Sequence, residues 1–541
     1  MAIQFKKTKI MMPFMLAGVL ALGIILGIRL QESNLQRQYQ IVQKWNKLNT
    51  ILNYIDKEYV DNIPRREMEE QSIELILKSL DPHSVYIPVS EMQSTNEPLE
   101  GNFDGIGVLF NTLSDTVFVM STVAGGPSER VGVLSGDRII TINDSIVAGR
   151  KLPQDSLVKL LRGKSGTRVA VGIKRSGEKN LVPITITRGK IPIKSVDVAY
   201  MSTPRTGYIK ISKFSRNTHE EFEKAVQKLL EKGMQSLVLD LRGNTGGYLD
   251  QAIEVANEIL NTGTLIVYTE GKASKRKDYV ANRHGLLTGT PVAILIDESS
   301  ASASEVLAGA VQDNDRGMIV GRRSFGKGLV QEPIFFSDGS GIRLTVARYY
   351  TPSGRCIQRP YTPNKSNDYY REIQLRFEHG ELAAADSIKQ NDSLRYVTPG
   401  GKVLYGGGGI TPDVFVPIDT SDINEYYLKI FRKNLIYKYA IQFADANRKK
   451  LNDVKTFAEL DKYLRREKLT SKFITYAASN GVSGAEEEVR VCRRLITSQI
   501  KAQIGRNTPL DDDGFYPFLE SIDNALQIAI QTVEKQQELQ K

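Results

Sequence analysis

Two short segments carry residues that could act as a nucleophile and its base. The run "SSASASEVLAGAVQ" begins at Ser299 and reads as a connection followed by a helix, and "GRRSFGKG" places Lys327 between two glycines. Ser302 would stand at the helix N-terminus, where partial positive charge and free N–H groups stabilise negative charge. A serine hydroxyl is a weak nucleophile that needs a base. The sequence therefore predicts a Ser302–Lys327 pair for acyl transfer.

Lysine can act as a base only if its surroundings disfavour the charged form. The ordinary pKa of lysine is near ~10.4, and burial lowers it. The neighbours Phe325, Leu329 and Val330 are apolar, which is consistent with a buried amine. Gln331, four positions after the lysine, could orient the amine as a third group orients the base in a catalytic triad.

Three other interpretations of these segments remain open at this point. The run at 321–328 nearly matches the nucleotide-binding pattern GxxxxGK[ST], but Gly328 replaces the hydroxyl and "LVQEPIFF" reads as a strand. "SFGK" matches S-x-x-K with Ser324 as nucleophile, but glycines disfavour the helix and the companion motifs S-D-N and K-T-G are absent. Taken alone, a serine-rich helix start is usually an N-cap, and a glycine-flanked lysine a solvated turn.

An oxyanion intermediate would need backbone N–H groups that are fixed before the reaction. The amide of Ala303, next to the nucleophile, is one candidate. The run "LRGNTGG" follows the apparent strand "LVLD" and offers the second. Gly246 is the preferred donor there and Gly247 the next, because glycine adopts backbone conformations that other residues resist.

Composition limits the other classes of function. With 541 residues the chain is too long for one compact core, and its net charge of +10 suits solubility or proximity to anionic lipid. It contains no recognisable nucleic-acid-binding module. Its four histidines show no HExxH spacing and no His/Cys/Asp cluster, so neither a metal nor a cofactor is predicted. Cys356 and Cys492 lack CxxC spacing, and the sequence leaves their pairing open.

The N-terminus predicts a membrane anchor. An uncharged, mostly apolar run extends from Ile10 to Ile28, and three lysines precede it. A helix of that length spans about 28 Å, roughly one hydrocarbon core. The run is longer than that of a signal peptide and lacks an A-x-A cleavage site, so an uncleaved helix is favoured. The lysines would keep the N-terminus in the cytoplasm and leave the rest of the chain outside.

A small β-rich region follows a helical one. Within it, "GGPSERVGVLSGDRIITIND" predicts a loop, a short helix, a turn and a strand, and "DSLVKLLRG" predicts a second helix. This order resembles a PDZ domain, and "GIGV" (Gly105, Ile106, Gly107 and Val108) resembles its carboxylate-binding loop. Free N–H groups there could bind a peptide's terminal carboxylate, and the next strand could pair with the peptide. An ordinary hairpin with a glycine turn is the alternative.

From about 195 to 420, strands such as "QSLVLDLRG" and "PVAILID" alternate with helices, which indicates an α/β core. A polar stretch at 363–395 reads as a mobile insertion or long loop. The motifs "LDPHSVYIP", "LDLRGNTGG", "SASASEVLAGAVQD", "FGKGLVQ", "LTVARYYTPSGRCIQ" and "GGGITPD" occur in the order found in the C-terminal processing peptidases. The chain resembles this family, the tail-specific serine proteases of peptidase family S41, over about 80–415.

The resemblance implies a crotonase/ClpP-like α/β protease core. It implies Ser302 as nucleophile, Lys327 as base and Gln331 as an assisting residue, with a structural role for Asp313. The expected domains are a cytoplasmic stub and transmembrane anchor (1–30), an N-terminal helical region (31–94), a PDZ domain (95–190), a serine protease core (191–420) and a C-terminal helical domain (421–541). In this family the PDZ domain can also gate the active site, for which Arg130 or Arg138 could provide coupling.

The resulting expectation is a serine endopeptidase held in the cell inner membrane by a single helix. Its catalytic domain would lie on the periplasmic side and act on proteins or peptides with exposed C-terminal tails. The C-terminal helices could support a homodimer, and no nucleic-acid partner is expected. A PDZ scaffold without catalytic activity is the rival function. The sequence names neither the physiological substrate nor an activating partner.

Overall fold

The computed structural model describes residues 46–113, 115–123, 125–175 and 177–539. Within these ranges, no helix is both long and apolar enough to cross a bilayer. The anchor predicted at residues 1–30 lies outside the described residues. The described part of the chain divides into two compact units between Ile76 and Leu77. Helix α1 (Asn46–Glu58) and most of helix α2 (Arg65–Lys78) belong to the first unit, within the region predicted to be helical.

A small β-rich domain is entered and left through a two-stranded ribbon. Strand β2 (Asn102–Gly105) pairs antiparallel with β9 (Gly189–Pro192). Between them lie β3 (Val108–Leu113), β4 (Thr116–Thr122), β5 (Arg138–Ile142), β6 (Ser145–Ile146), β7 (Arg168–Lys174) and β8 (Val182–Thr187), with helices α4 (Pro127–Arg130) and α5 (Gln154–Leu161). The sheet order is β3-β4-β5-β7-β8, with β6 attached to β5. Strand β3 is at an edge of the sheet, where another strand could pair.

A six-stranded sheet forms the centre of the larger domain. Its order is β10 (Val196–Met201), β11 (Thr206–Ile211), β12 (Ser236–Asp240), β15 (Val292–Ile296), β16 (Met318–Gly321) and β21 (Val414–Phe415), and only the first pair is antiparallel. Every residue of β12 and β15 is buried, as is typical of parallel strands covered on both faces. Helices α6 (Thr218–Glu231), α7 (Leu249–Ile259) and α8 (Ala303–Asp313) pack in one core with this sheet. The predicted α/β core is confirmed.

A second sheet brings distant segments together beside this core. Strand β18 (Gly341–Tyr350) pairs antiparallel with β17 (Leu329–Phe335) along one edge. Its other edge pairs with β1 (Val85–Ile87) and with β13 (Leu265–Glu270), which in turn pairs with β14 (Lys277–Val280). Helix α3 (Val89–Glu100) follows β1. The segment near residue 85 therefore belongs to the same sheet as the strand that follows Lys327.

Residues 363–395 do not form the long loop predicted from the sequence. They contain helix α9 (Ser366–Glu378) and two 3₁₀ turns (Ala385–Ser387 and Asp392–Leu394), and they lead into the hairpin β19 (Arg395–Val397) and β20 (Val403–Tyr405). Tyr369 and Arg376 are buried residues of this helix. The prediction was wrong because tertiary packing of a few side chains, rather than an apolar stripe, stabilises the helix.

The C-terminal region is helical, as predicted. It comprises α10 (Glu425–Arg432), α11 (Leu435–Ala446), α12 (Arg448–Asn452), α13 (Phe457–Arg466), α14 (Leu469–Ser479), α15 (Glu486–Arg506), α16 (Asp512–Glu520) and α17 (Asn524–Leu539). Most of these helices share a core of their own. Helix α17 instead covers the second face of the six-stranded sheet, where Leu526, Ala529 and Val533 pack with Val238 and Leu295. The last helix thus completes the α/β core.

Strand β4 of the small domain is buried on both faces. Side chains alternate along a strand, so successive residues of β4 enter two different clusters. Val117 and Val119 face the core of that domain. Phe118 and Met120 face the opposite way and form a separate buried cluster with Ile441 of α11. The small domain is therefore attached to the C-terminal helices as well as to the β2–β9 ribbon.

Polar contacts surround this second attachment. Asn111 Nδ2 donates to the Tyr437 hydroxyl. Arg138, one of the two arginines predicted to couple the small domain to the active site, pairs with Asp445 at 3.4 Å. The observed contact of Arg138 is thus with the C-terminal helices.

Candidate active site

Ser302 lies on the turn between β15 and α8. Its φ of 57° is in the left-handed region that few residues other than glycine adopt, so surrounding contacts must hold the turn. The Ala301 N–H donates to the Asn244 carbonyl at 3.0 Å, and the Ser304 hydroxyl donates to the same oxygen at 2.9 Å. The loop "LRGNTGG", which contains Asn244, therefore anchors the serine turn.

Lys327 lies on the loop between β16 and β17. Its Nζ donates to Gln331 Oε1 at 3.0 Å. Burial lowers the pKa of Lys327, the positive charge of Arg343 lowers it further, and the carboxylates of Glu305 and Asp81 oppose the shift. A lowered pKa increases the fraction of neutral amine, which is the form that accepts a proton.

One buried carboxylate, that of Glu305, connects the serine turn with the lysine loop. Its Oε2 accepts hydrogen bonds from the backbone N–H groups of Ser302 and Lys327, both at 2.8 Å. Its Oε1 accepts from Ser324 Oγ at 2.5 Å and from the Gly326 N–H at 2.7 Å. Burial raises the pKa of Glu305, and these donors oppose that rise. Because they share one acceptor oxygen, the backbone nitrogens of Ser302 and Lys327 are separated by no more than the combined length of these two hydrogen bonds.

Tyr349 of β18 provides a second connection between the two segments. Its hydroxyl donates to the Lys327 carbonyl. Burial raises the pKa of Tyr349, and the Ser302 side chain, a hydrogen-bonding neighbour, opposes the rise. In the hydrogen bonds of the described residues, Lys327 Nζ is joined to Gln331 and not to Ser302 Oγ.

Of the predicted oxyanion donors, Ala303 follows Ser302 in the chain and Gly246 lies against it, and their N–H groups differ in whether they already have an acceptor. The Ala303 N–H begins helix α8 and has no acceptor within the described part of the chain. A Cβ on Gly246 would lie 2.7 Å from Ser302 Cβ, so only glycine fits there. The Gly246 N–H, however, donates to Asn244 Oδ1 at 2.9 Å. The Gly247 N–H, the second choice from the sequence, has no acceptor among the described residues.

Comparison with known proteins identifies the family. The family model for peptidase family S41 matches residues 205–365, and the PDZ domain model matches residues 105–186. The carboxy-terminal processing protease CtpB of Bacillus subtilis is 30% identical over 443 residues, which cover 79% of this chain and 86% of that protein. The chain belongs to peptidase family S41. It is a carboxy-terminal processing serine protease with a PDZ domain.

Other S41 relatives match shorter parts of the chain. A probable CtpA-like serine protease of Staphylococcus aureus is 34% identical over 314 residues, which cover 58% of this chain and 62% of that protein. The structure of the photosystem II D1 C-terminal processing protease superposes with a TM-score of 0.37 at 27% identity, covering 69% of this chain and 86% of that one. Residues 426–508 match a family of unknown function.

The predicted carboxylate-binding loop of the PDZ domain, Gly105 to Val108, connects β2 to β3. The Ile106 carbonyl accepts hydrogen bonds from the Ser128 N–H at 3.0 Å and the Ser128 hydroxyl at 2.6 Å. Gly107 has a φ of 73°. Within the described ranges the N–H groups of Ile106 and Gly107 have no intramolecular acceptor. Such N–H groups can bind a carboxylate.

Asp313, for which a structural role is predicted, forms a buried ion pair. Asp313 Oδ1 pairs with Arg355 Nη2 at 2.6 Å, and both side chains are fully buried. Among the described residues, no group of three or more His, Cys, Asp or Glu could hold a metal ion. Cys356 and Cys492 are free thiols, which answers the question of their pairing.

Sequence reasoning did not select Glu305, Tyr349 or His83, whose carbonyl accepts a hydrogen bond from Gln331 Nε2. A signal for Glu305 was available, because "SASE" has the S-x-x-E spacing of a capping box. Tyr349 lies on β18 and His83 lies in the turn before β1, both distant in sequence from Ser302, so no local pattern identifies them.

Glu305→Gln is expected to lower kcat/KM by about 100-fold or more. Both oxygens of Glu305 accept hydrogen bonds. A carboxamide would keep one acceptor oxygen but would place an NH₂ group against the donors that the other oxygen now accepts. Initial rates of casein cleavage measure the effect. Glu298→Gln is the matched control, because Glu298 pairs with Arg322 at 2.9 Å and, among the described residues, has no hydrogen bond to Ser302 or Lys327. A Glu305→Gln enzyme with the kcat/KM of wild type would contradict the positioning role.

Proposed function

We propose that this S41 protease cleaves proteins with a Ser302–Lys327 dyad. The observation that carries the proposal is the Glu305 carboxylate, which binds the backbone N–H groups of both residues through one oxygen. The lowered pKa of Lys327 and its hydrogen bond to Gln331 Oε1 suit a base that is neutral before the reaction. The crotonase/ClpP-like assignment of the core and the domain limits predicted from the sequence belong to the same proposal.

In the first step, neutral Lys327 Nζ accepts the Ser302 Oγ proton as Oγ bonds to the scissile carbonyl carbon. The carbonyl oxygen becomes an oxyanion, for which the N–H groups of Ala303 and of Gly246 or Gly247 are the candidate donors; those of Ala303 and Gly247 have no acceptor among the described residues. The C–N bond then breaks, and the Lys327 ammonium returns its proton to the leaving amine. An ester of Ser302 remains.

In the second step, Lys327 accepts a proton from water as the water oxygen attacks the ester carbon. Collapse of the second oxyanion breaks the bond to Ser302 Oγ, which takes the proton back from Lys327. The products are a new carboxylic acid, which then loses its proton to water, and the original enzyme. No cofactor is needed to balance either step.

Ser302→Ala and Lys327→Ala are each expected to abolish cleavage of casein, because one removes the nucleophile and the other its base. Cleavage is followed on gels with a Lys277→Ala control, since Lys277 is an exposed residue of β14. A fluorophosphonate adduct located by mass spectrometry should lie on Ser302. Adduct formation on Ser324 would instead support the S-x-x-K alternative, and equal cleavage by all variants would refute the dyad.

The charges around Lys327 predict the direction of a pH effect. Arg343 lowers the pKa of Lys327, and Glu305 and Asp81 raise it. His83 faces the amine too, but burial lowers the pKa of His83 to about 3, so its ring is neutral where the enzyme would work. Arg343 is therefore the cation whose removal should change the pKa of Lys327 most.

Activity is expected to increase with pH as Lys327 loses its proton, with a midpoint below the ordinary value of ~10.4. Arg343→Gln should move this midpoint to higher pH, because the neutral amine loses the neighbouring cation that favours it. The measurement is kcat/KM against pH. Arg348→Gln, an exposed position on the same strand, should leave the midpoint unchanged. A midpoint that stays in place in Arg343→Gln would show that Lys327 does not limit the alkaline rise.

We further propose that the PDZ domain captures C-terminal tails of substrates at Gly105, Ile106, Gly107 and Val108. The support is that the N–H groups of Ile106 and Gly107 have no acceptor in the part of the chain that the structure describes, and that β3 is a neighbouring edge strand.

An apolar peptide with a free carboxylate should bind the Ser302→Ala protein about tenfold or more tightly than its C-terminal amide. Fluorescence anisotropy measures both. Gly107→Ala should weaken binding, because its Cβ would lie 3.0 Å from Ile191 at a positive φ. Gly149→Ala is the matched control, with a positive φ but open space. Equal affinity for the acid and the amide would exclude carboxylate recognition.

The membrane location stays a proposal based on the sequence. The apolar run from Ile10 to Ile28 would anchor the chain in the inner membrane, with the protease on the periplasmic side. Fractionation and protease accessibility in spheroplasts test this, and a protease found in the cytoplasmic fraction would overturn it. A homodimer through the C-terminal helices is tested by sedimentation of the purified protein.

A further inference from the structure

The orientation of the Gln331 carboxamide determines whether an acceptor or a donor faces Lys327 Nζ. A carboxamide has one acceptor end and one donor end. Gln331 Nε2 donates to the His83 carbonyl, and this leaves Oε1 to accept from Lys327 Nζ at 3.0 Å. With the amide reversed, two N–H donors would face the amine. The position of the His83 carbonyl therefore sets the partner of Lys327.

The His83 carbonyl belongs to a turn that is held by an aspartate. Asp81 Oδ1 accepts from the N–H groups of His83 and Ser84, both at 2.8 Å, and Asp81 Oδ2 accepts from the Ser84 hydroxyl at 2.6 Å. The Thr345 N–H of β18 donates to Ser84 Oγ at 3.1 Å. One side of the turn is thus fixed to the sheet that also carries β17.

The other side of the turn is held by helix α9. The Tyr369 hydroxyl lies 3.0 Å from His83 Nε2, and the two rings meet edge to face at 5.1 Å between centroids. The Tyr370 hydroxyl donates to the Pro82 carbonyl at 2.9 Å. His83 is only 9% exposed, so water cannot easily replace the tyrosine. Helix α9 therefore fixes the imidazole of His83 directly.

Helix α9 is itself bound to the lysine loop. Arg376 donates to the carbonyls of Ser324 at 3.0 Å and Arg323 at 2.6 Å. The Arg359 guanidinium stacks between Phe325 and Tyr369, at 4.0 and 3.9 Å from the ring centroids. The helix thus contacts both the loop that carries Lys327 and the turn that orients Gln331.

We infer that Tyr369 and His83 are positioning residues of the protease, which orient Gln331 and thereby aim Lys327 Nζ. This inference rests on the proposed role of Lys327 as the base. It gives the segment 363–395 a function in catalysis, because α9 supplies the Tyr369 contact. Neither Tyr369 nor His83 needs to touch the substrate for this role.

The test uses the full-length chain, with labelled casein as substrate and a fluorophosphonate as probe of Ser302. Tyr369→Phe removes one hydroxyl and should lower kcat and the rate of Ser302 labelling together by about 3- to 10-fold. KM and the unfolding temperature should stay near wild type. His83→Phe keeps a ring but removes Nε2, and it should give the same loss. Tyr361→Phe is the control, because its ring neighbours Tyr369 at 6.5 Å without a bond to the turn.

A double variant separates positioning from general support. If Tyr369 acts through Gln331, Tyr369→Phe should add no further loss in a Gln331→Ala background. Additive losses, or wild-type kcat and labelling in both Tyr369→Phe and His83→Phe, would overturn the inference. Lys327→Ala is measured alongside: if it labels at the wild-type rate, the dyad itself fails. If Lys327→Ala is inactive while Tyr369→Phe and His83→Phe are both fully active, the positioning role is refuted and the dyad is not.

Discussion

The active site depends on the burial of one carboxylate. Glu305 lies in the first turn of α8 and has no exposed surface, so its charge is stable there only if donors surround it. Those donors come from the serine turn and from the loop that carries Lys327. The backbone N–H groups of Ser302 and Lys327 both donate to one oxygen of this carboxylate, so the contacts that satisfy the buried charge also hold the two segments together. The same constraint therefore stabilises the core and arranges the proposed Ser302–Lys327 pair.

Much of this arrangement could be predicted because its signals are local. The apolar runs within β12 and β15 indicate buried parallel strands, and the proposed nucleophile Ser302 and base Lys327 lie in one continuous segment. Helix α9 was missed because its stability comes from buried contacts of Tyr369 and Arg376 with distant segments. A polar sequence gives no sign of such contacts.

The loop "LRGNTGG" shows what the sequence can and cannot predict about the oxyanion donors. Close approach to Ser302 requires glycine at 246, and the sequence indicates this correctly. Which of the two glycine N–H groups is engaged within the described chain depends instead on the Asn244 side chain, which accepts the Gly246 N–H. Such a side-chain contact leaves no sign in the residue types, so the choice between Gly246 and Gly247 as oxyanion donor stays a prediction.

The two attachments of the PDZ domain have an energetic consequence. Rotation about the β2–β9 ribbon would expose Phe118 and Met120, which pack against Ile441. Exposing two such side chains costs about 3–6 kcal/mol, so a rotated domain would be populated at about one molecule in 10² to 10⁴. A tail peptide that binds both orientations equally leaves this ratio unchanged, however tight its binding. Only a ligand that also contacts what the rotation uncovers, or competes with α11 for β4, can shift the population.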